Sequence, residues 1–537
     1  MTRPLRHSGV RFSRGPAIAL LSILALVPVA RGQESPFVIE VIDEQTGRGV
    51  PLVELETTSS VRYVTDSAGL VALDDPALMG RRVFFTVSSF GYEFPADGFG
   101  IRGRALEPRP GGAATLKLKR LNVAERLYRT TGEGIYRDTM LAGRKPPIDH
   151  PLLNAQVTGQ DSVQSLVYRD KIHFFWGDTG KLSYPLGNFS MTGATADLPG
   201  RGGLDPSVGI NLKYFQDEEG FTRKMAPLPE PGAVWLDGFM VVPDPAGKPR
   251  MLAHFSRMKD LSTRVERGLM AFDDDKGIFQ RLAPVPLDAP LAPGGHPLEV
   301  TVGKTKYLYF PVPYPAVRVR AEWASVTDLV SYEGFTCLKQ GARYDKSDPP
   351  LDRDDHGRPR FSWKKETPPL EPRQLAELIK SGRIKRDECP FRLAAAEDGK
   401  PILLHGSSVA WNRYRERYVM IGLEQFGSSM LGEIWYAEAA APEGPWDKAV
   451  KVATHHREVG GGWAARSENM DLYNPRHHPF LDQEGGRIIY FEGTYTNSFS
   501  GNPTKTPRYE YNNLMYRLDL SDPRLKPAHA AVGPEPR

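Results

Sequence analysis

Apolar and polar residues alternate along the first part of the chain in short runs that end at Gly or Asp turns. The runs begin at Phe37, Val50, Val61, Val83 and Ala114. A period of two places successive side chains on opposite faces of a strand, and Gly and Asp favour the turns between strands. This pattern predicts a small antiparallel β-sandwich over residues 33–120.

A second pattern starts near residue 151 and occurs five times. Each copy has a polar segment, an apolar strand, a charged or Gly-containing turn and an aromatic strand. The copies begin near Gly159, Ala233, Gly295, His405 and Asn474, the last with the sequence NPRHHPFLDQEGGRIIYFEGTYT. Repeats of one small antiparallel sheet are typical of β-propeller blades. We therefore predict an all-β chain, in which the N-terminal β-sandwich is followed by a five-bladed β-propeller over residues 151–526.

The step from the third copy to the fourth is longer than the others, which predicts an insertion over residues 334–392. Glu371 and Pro372 suit a helix start and Gly382 a helix end, so we expect one helix there. Cys337 and Cys389 flank the insertion and are the only cysteines of the sequence. They either form a disulfide that joins its two ends or remain two buried thiols.

The segments outside these two units have weaker patterns. Residues 121–150 predict a linker, with a short helix over 122–132, and residues 527–537 predict a disordered tail. Residues 1–32 have the three parts of a secretory signal peptide, with four arginines, an apolar run over 17–27 and small residues before a cut at Gln33. An apolar run of about eleven residues is too short to span a bilayer. We expect a secreted or periplasmic protein that is not inserted in the membrane after cleavage.

Composition narrows the function. The 537 residues carry a formal net charge of +4, and the basic residues are scattered, so we expect no nucleic-acid partner. The sequence contains no GxSxG, HExxH or P-loop motif and no GxGxxG in a strand-to-helix setting. The sequence pattern does not indicate whether the protein is a monomer or an oligomer.

In a propeller the innermost strand of each blade lines a central channel, so the polar segments before these strands meet at its mouth. They are expected to bring together Asp161, Asp237, Glu299, His296, His405, Asn474 and His478. Hydrolysis of a glycosidic bond needs one carboxylate that acts on water or carbon and another that protonates the leaving oxygen. We expect a carbohydrate substrate and no required cofactor, and leave open a structural calcium ion in the channel.

Several of these residues have a structural alternative. Asp237 precedes Gly238, a pair typical of a β-turn, and Asp178 either lines a substrate groove or caps a tight turn. Glu299 is otherwise an outward strand residue. A Gly-rich segment, residues 460–469, is a second candidate site with Trp463, Arg466 and Glu468, and there Glu468 is the alternative general acid.

Two resemblances add to this interpretation. The pattern V-x-D-x-x-T-G-x-G-V-P, followed by T-D-x-x-G and G-Y, resembles the carboxypeptidase-regulatory-like sandwich domain, which implies an accessory module without catalysis. The order Asp, Asp, Glu on the first three blades resembles family 43 arabinanases and xylosidases, and IHFFWGDT resembles DUF4185-type propellers. The resemblance to family 43 enzymes implies that Asp161 is the base or nucleophile, that Asp237 tunes a pKa, and that Glu299 is the general acid.

Two other functions remain open. One is a glycan-binding propeller without catalysis, which would keep the aromatic residues and lack part of the carboxylate set. The other is an exported interaction protein, in which the sandwich binds the partner. Carboxylates turned away from the channel would favour either of these functions over the enzyme.

Overall fold

The computed structural model describes residues 35–459, 466–497 and 510–529. The alternating runs of the first part form two facing four-stranded sheets, in the orders β4-β1-β8-β6 and β3-β2-β5-β7. Their strands are β1 (Phe37–Asp43), β2 (Glu54–Thr57), β3 (Arg62–Val64), β4 (Leu70–Leu73), β5 (Val83–Ser88), β6 (Tyr92–Glu93), β7 (Gly103–Leu106) and β8 (Ala113–Arg120). The predicted sandwich is confirmed, but it is not wholly antiparallel, because β1 and β8 pair in parallel.

Apolar residues from both sheets fill the space between them. Ile39, Leu55, Phe85 and Leu118 have no solvent exposure. The Asp66–Gly69 turn needs a glycine at its end because Gly69 has a φ of +75° and a Cβ there would lie 2.5 Å from the Val41 carbonyl oxygen. This close approach explains the T-D-x-x-G pattern in the sequence.

The rest of the described chain forms five blades around one axis. It begins with β9 (Glu125–Arg129), the helix α1 (Arg137–Leu141) and β10 (Val157–Gln160). The first blade contains β11 (Gln164–Tyr168), β12 (Lys171–Trp176), β15 (Thr192–Asp197) and β16 (Lys213–Tyr214). Beside it, β13 (Thr179–Lys181) pairs with both β10 and β14 (Tyr184–Asn188) in a separate three-stranded sheet. The second contains β17 (Ala233–Pro243), β18 (Pro249–Met258), β19 (Arg264–Asp273) and β20 (Ile278–Val285).

The third and fourth blades have five strands each. The third contains β21 (Leu298–Val302), β22 (Thr305–Pro311), β23 (Pro315–Arg320), β24 (Glu333–Thr336) and β25 (Ser362–Lys365), with the helix α2 (Trp323–Val326) between β23 and β24. The fourth contains β26 (Phe391–Ala395), β27 (Leu404–Asn412), β28 (Arg417–Glu424), β29 (Glu433–Ala439) and β30 (Trp446–Ala453), and a hairpin of β31 (His456–Val459) and β32 (Arg466–Asn469) follows it. The fifth contains β33 (Asp471–His477), β34 (Ile488–Thr496) and β35 (Asn512–Asp519).

Strand β9 completes the fifth blade from the other end of the propeller sequence. It pairs antiparallel with β35, with Leu514 opposite Arg129. The prediction of a short helix over 122–132 is wrong, and β9, which lies inside the predicted linker, is part of the propeller. Its residues are all buried, because they pack between the sandwich and the blade.

Arg126 on β9 ties the two units together. Its side chain is 1% exposed, donates a 2.6 Å hydrogen bond to the Ser89 hydroxyl and lies over the Tyr92 ring. Both partners belong to the sandwich. Since a buried guanidinium needs its hydrogen bonds satisfied, these contacts hold β9 against the sandwich.

The insertion contains the expected helix, α3 (Pro372–Lys380). Glu371 caps it with a capping box that includes the Gln374 side chain, and Pro372 occupies the first turn. Cys337 and Cys389 are free thiols, both fully buried in one apolar cluster. The structure therefore has the second of the two alternatives for these cysteines.

The C-terminal segment differs from its prediction. A 3-10 helix over Pro523–Ala528 packs Leu525 and Ala528 into an apolar cluster of the propeller. The predicted disorder is therefore wrong for residues 527–529, and 530–537 lie outside the described residues. Among the helices that the structure describes, none is long and apolar enough to cross a membrane. The predicted signal peptide lies outside the described residues.

Candidate active site

Residues from all five blades line one cleft at the mouth of the channel, with a volume of about 400 Å³. The first blade contributes Asp161 and Gln164, the second Trp235 and Asp237, the third His296, the fourth His405 and Ser407, and the fifth Asn474 and Pro475. Polar segments that are far apart in the sequence thus meet here, as the repeat pattern predicted.

Asp161 and Asp178 lie side by side at the edge of the first blade. The Asp161 amide donates to the Asp178 carbonyl at 2.9 Å, and the Gly177 amide donates to the Asp161 carbonyl at 2.8 Å. These backbone bonds hold the two residues next to each other. The charge of Asp161 acts on the Asp178 carboxyl, although Asp178 itself is not among the residues that line the cleft.

Burial first, and then the neighbouring Asp161, raise the pKa of Asp178 to about 7. Burial also raises the pKa of Asp161, although hydrogen bonds from Ser162 and Tyr473 act in the opposite direction. Trp235 donates to the Asp178 carboxyl. The Oδ1 atom of Asp178 has no hydrogen-bond partner among the described residues. Asp178 is therefore partly protonated near neutral pH.

Asp237 lies on a β-bulge within β17 and points into the cleft. The register of β17 against β18 shifts between Asp237 and Met240, and Gly238 has a φ of +61°. The strand continues on both sides, so the hairpin-turn alternative is wrong. Such a bulge redirects a side chain, here from the sheet face into the cleft.

The Asp237 carboxylate accepts three hydrogen bonds: 2.8 Å from the Gly238 amide, 3.0 Å from the Gly295 amide and 3.1 Å from Gln164 Nε2. The cleft walls surround the carboxylate and reduce its hydration, although its surface is open to the cleft. This loss of hydration raises the pKa of Asp237 to about 6, and the amide donors limit the rise.

The fifth blade orients Asp161 through a chain of hydrogen bonds. Asn474 Nδ2 donates to Ser162 Oγ, which donates to Asp161 Oδ1. Asn474 has a φ of 51° and Ser162 a φ of 48°, a region that Asn tolerates better than most residues. The Ser162 amide also donates to Thr494 Oγ1 at 2.7 Å. The position of Asp161 thus depends on two blades.

Two histidines complete the lining of the cleft. His296 is 6% exposed, and burial with the nearby charge of Arg476 holds its pKa well below the usual value. His405 is open to the cleft, and the loss of hydration lowers its pKa. Both are therefore neutral near pH 7 and can accept or donate hydrogen bonds.

The structure corrects the position of Glu299. Its side chain is 51% exposed and pairs with Lys306 at 2.8 Å on the third blade, away from the residues that line the cleft. Glu299 lies on the strand β21, while the polar segment before that strand supplies His296. The general-acid position proposed for Glu299 is therefore wrong, and its alternative as an outward strand residue is correct.

Two further predicted site residues lie elsewhere. Glu468 is buried against Arg457 at 2.5 Å, and Arg457 also contacts Glu54 and Ser88 of the sandwich. The alternative acid thus belongs to the contact between the two units. His478 is fully buried beneath the cleft, where its Nδ1 lies 2.9 Å from Ser165 Oγ.

Part of the second candidate site lies outside the residues that the structure describes. Trp463 falls in the undescribed residues 460–465, and the position of the Arg466 side chain is not described. Residues missed by the sequence analysis include Ser162, Gln164 and Trp235, which lie within three residues of Asp161 or Asp237. Arg476 was also missed, although it stands in the NPRHHP segment.

A metal site has no support among the described side chains. Across residues 35–459, 466–497 and 510–529, no group of three or more His, Cys, Asp or Glu side chains could hold a metal ion. Asp161 and Asp237 line the cleft, but they belong to different blades, and Asp237 is held by amide donors. The calcium ion left open by the sequence has no ligand set in this part of the chain.

Solved structures that resemble the chain include an arabinofuranosidase, a GH43_1 enzyme and an arabinanase. The α-L-arabinofuranosidase Arb93A from Fusarium graminearum is 10% identical over 74% of this chain and 99% of its own, with a TM-score of 0.31. A GH43_1 enzyme from Xanthomonas citri, complexed with xylotriose, is 11% identical over 67% and 86%, with a TM-score of 0.31. The endo-1,5-α-L-arabinanase from Thermotoga petrophila RKU-1 is 10% identical over 67% and 71%, with a TM-score of 0.30.

TM-scores of this size establish neither a shared activity nor a shared site, so the five blades rest on the strand pairing of the chain itself. No protein-family profile matches the sequence. No curated protein matches it either.

Proposed function

We propose that this chain is an exported glycoside hydrolase that cleaves a polysaccharide or oligosaccharide by carboxylate acid–base catalysis. The observation that carries the proposal is the pairing of Asp161 and Asp237, which come from adjacent blades, line one cleft and both have a raised pKa. Two carboxyls with separate environments, in a cleft wide enough for a sugar, are the requirement for this reaction.

The environments of the two residues favour different roles. Asp237 has a pKa of about 6 and is open to the cleft, so it can be protonated in weakly acidic solution and donate to the leaving oxygen. Asp161 receives hydrogen bonds from Ser162 and Tyr473, which stabilise its ionised form as a base or nucleophile. Asp178, rather than Asp237, has the pKa-tuning role, since its charge lies beside Asp161.

The sandwich fits an accessory role in this proposal. Its contacts with the propeller include Arg126 and Arg457, on the side of the fifth blade and its preceding hairpin. It contributes no side chain to the cleft lining. Export follows from the signal-peptide pattern of residues 1–32, and secretion or a periplasmic location is part of the proposal.

The test is a hydrolysis screen on the chain beginning at Gln33, over arabinans, galactans, xylans and acidic polysaccharides. Asp161→Asn and Asp237→Asn should each lower turnover by about 10²-fold or more while leaving the fold intact. Asp348→Asn is the matched control, because Asp348 is 98% exposed on the insertion. Glycan binding without release of sugar from any substrate would instead favour the non-catalytic binding propeller.

A further inference from the structure

Beneath the cleft lies a buried positive charge that the proposed reaction does not use. Arg476 is 9% exposed and follows Pro475, which lines the cleft. Its Nε donates to Ser165 Oγ at 3.1 Å and its Nη2 donates to the Ser165 carbonyl at 2.8 Å. Ser165 in turn stands next to Gln164 of the cleft lining. The guanidinium is therefore held next to residues of the cleft lining, Pro475 along its own strand and Gln164 beside its partner Ser165.

No carboxylate among the described residues forms an ion pair with Arg476. Glu492 lies opposite it on β34, but its carboxylate contacts His478 Nε2 at 3.3 Å and Thr130 Oγ1 at 2.7 Å instead. A buried guanidinium without a counter-charge is costly, so such a group usually has an anionic partner.

A second unsatisfied group lies beside it. His296 is 6% exposed and lines the cleft, and its Nδ1 has no hydrogen-bond partner in the described part of the chain. The charge of Arg476 acts on His296, which places the two side chains near each other. Arg476 Nη1 also has no hydrogen bond to the described residues, so each of the two side chains has a nitrogen without a partner.

We propose that Arg476 and His296 form a subsite for an oxyanion on the sugar, a carboxylate or a sulfate ester, and that the substrate is an acidic glycan. Arginine binds carboxylate and sulfate oxygens through two parallel N–H donors, and a neutral histidine adds one further donor. Asp237 lies on the second blade, so the anion can meet the guanidinium while the scissile bond meets the acid. This inference rests on the proposed function, because it names the substrate of the same cleft.

Binding of single sugars tests the subsite apart from catalysis. The probes are D-glucuronate, D-glucose 6-sulfate and D-glucose, at matched ionic strength and near neutral pH, titrated by calorimetry into the unmodified protein. We expect at least one charged sugar to bind about 10-fold or more tighter than D-glucose. A preference for glucuronate identifies a uronate site, and a preference for the sulfate identifies a sulfate-ester site. Equal binding of all three sugars overturns the proposal.

Substitution tests which residues cause the preference. Arg476→Gln and His296→Gln should each reduce the ratio of charged to neutral sugar affinity, the arginine change the more strongly, with folding followed by circular dichroism. Arg476→Lys keeps the charge without the paired donors, so part of the preference should remain. A folded Arg476→Gln protein with an unchanged ratio overturns the assignment. If it does not fold, the ratio in His296→Gln and in the unmodified protein decides.

Failure of this inference and failure of the proposed function give different results. If the protein binds charged sugars but hydrolyses nothing, the subsite is supported and the proposed hydrolase function is refuted. If the protein hydrolyses neutral glycans without any preference for acidic ones, the hydrolase function is supported and the subsite is refuted. Asp237→Asn, which removes the proposed acid, should leave the ratio of charged to neutral sugar affinity above one.

Discussion

Replacement of Asp178 by Asn should make the protein more stable and less active. The carboxyl is partly buried beside Asp161, and its pKa is raised from the ordinary 3.8 to about 7. The folded state therefore favours the protonated form. The stabilising effect of this proton is fully present below about pH 4 and is lost as the pH rises through about 7. Asn resembles the protonated form at every pH, and its side-chain oxygen can still accept from Trp235.

The size of the effect follows from the two pKa values. The difference between about 7 and 3.8 corresponds to at most about 4 kcal/mol of unfolding free energy, at about 1.4 kcal/mol for each pH unit. Because solvent reaches part of the carboxyl, screening brings the expected gain to about 2 kcal/mol above pH 7. At about pH 4 the variant and the unmodified protein should have the same stability.

The assay is chemical denaturation of both proteins at about pH 4, 6 and 8, with Asp348→Asn as the exposed control. A gain that grows with pH supports the raised pKa of Asp178 in the folded protein. The same variant should lower turnover near and above pH 7, where Asp161 loses a neighbouring negative charge and becomes a weaker base. The acid limb of the pH–rate profile should stay in place, because Asp178 is already protonated there. An equal difference in stability at every pH would refute the reasoning.

Other predictions separate residues of the cleft from those outside it. Turnover should fall as pH rises through about 6, as Asp237 loses its proton, and pH–rate profiles should show that Asp237→Asn removes this limb together with most activity. Glu299→Gln should keep normal turnover in the same assay, since Glu299 is solvent-exposed and pairs with Lys306; a large loss would return it to the site. Tyr473→Phe should lower turnover about 10-fold and move the acid limb to higher pH, because a hydrogen bond that lowers the pKa of Asp161 is lost. Glu468→Gln should leave turnover unchanged but cost about 1–3 kcal/mol in denaturation, as its buried contact with Arg457 weakens.

The repeated order of polar segments and strands explains why the all-β fold could be predicted. Polar segments and aromatic strands recur in the sequence, and each copy became one blade. Strand β9 could not be predicted in the same way, because its five residues contain two arginines and a glutamate and pair with a strand far along the chain. Local patterns favour a helix there, and only the unfilled edge of the fifth blade makes it a strand.

The site was predictable where position in the repeat decides it. Asp161 and His296 precede inner strands, so the blade geometry brings them to the cleft. Asp237 required a bulge, which the pair Asp-Gly also permits as a turn, and the sequence alone did not decide between the two. Glu299 lies two residues past Pro297, inside the strand rather than before it, and this small shift along the strand places it in solvent.

The position of β9 early in the sequence also affects the order in which the fold forms during synthesis. Arg129 hydrogen-bonds Asn512, 383 residues further along the chain, so the fifth blade stays incomplete until nearly all of the protein has been made. Contacts between such distant residues form slowly, and an unpaired buried strand is prone to associate with other chains. The sandwich is complete before β9 is needed, and through Arg126 it can hold this strand until β35 arrives. Loss of the sandwich would therefore delay closure of the ring and leave β9 exposed for longer in each newly made chain.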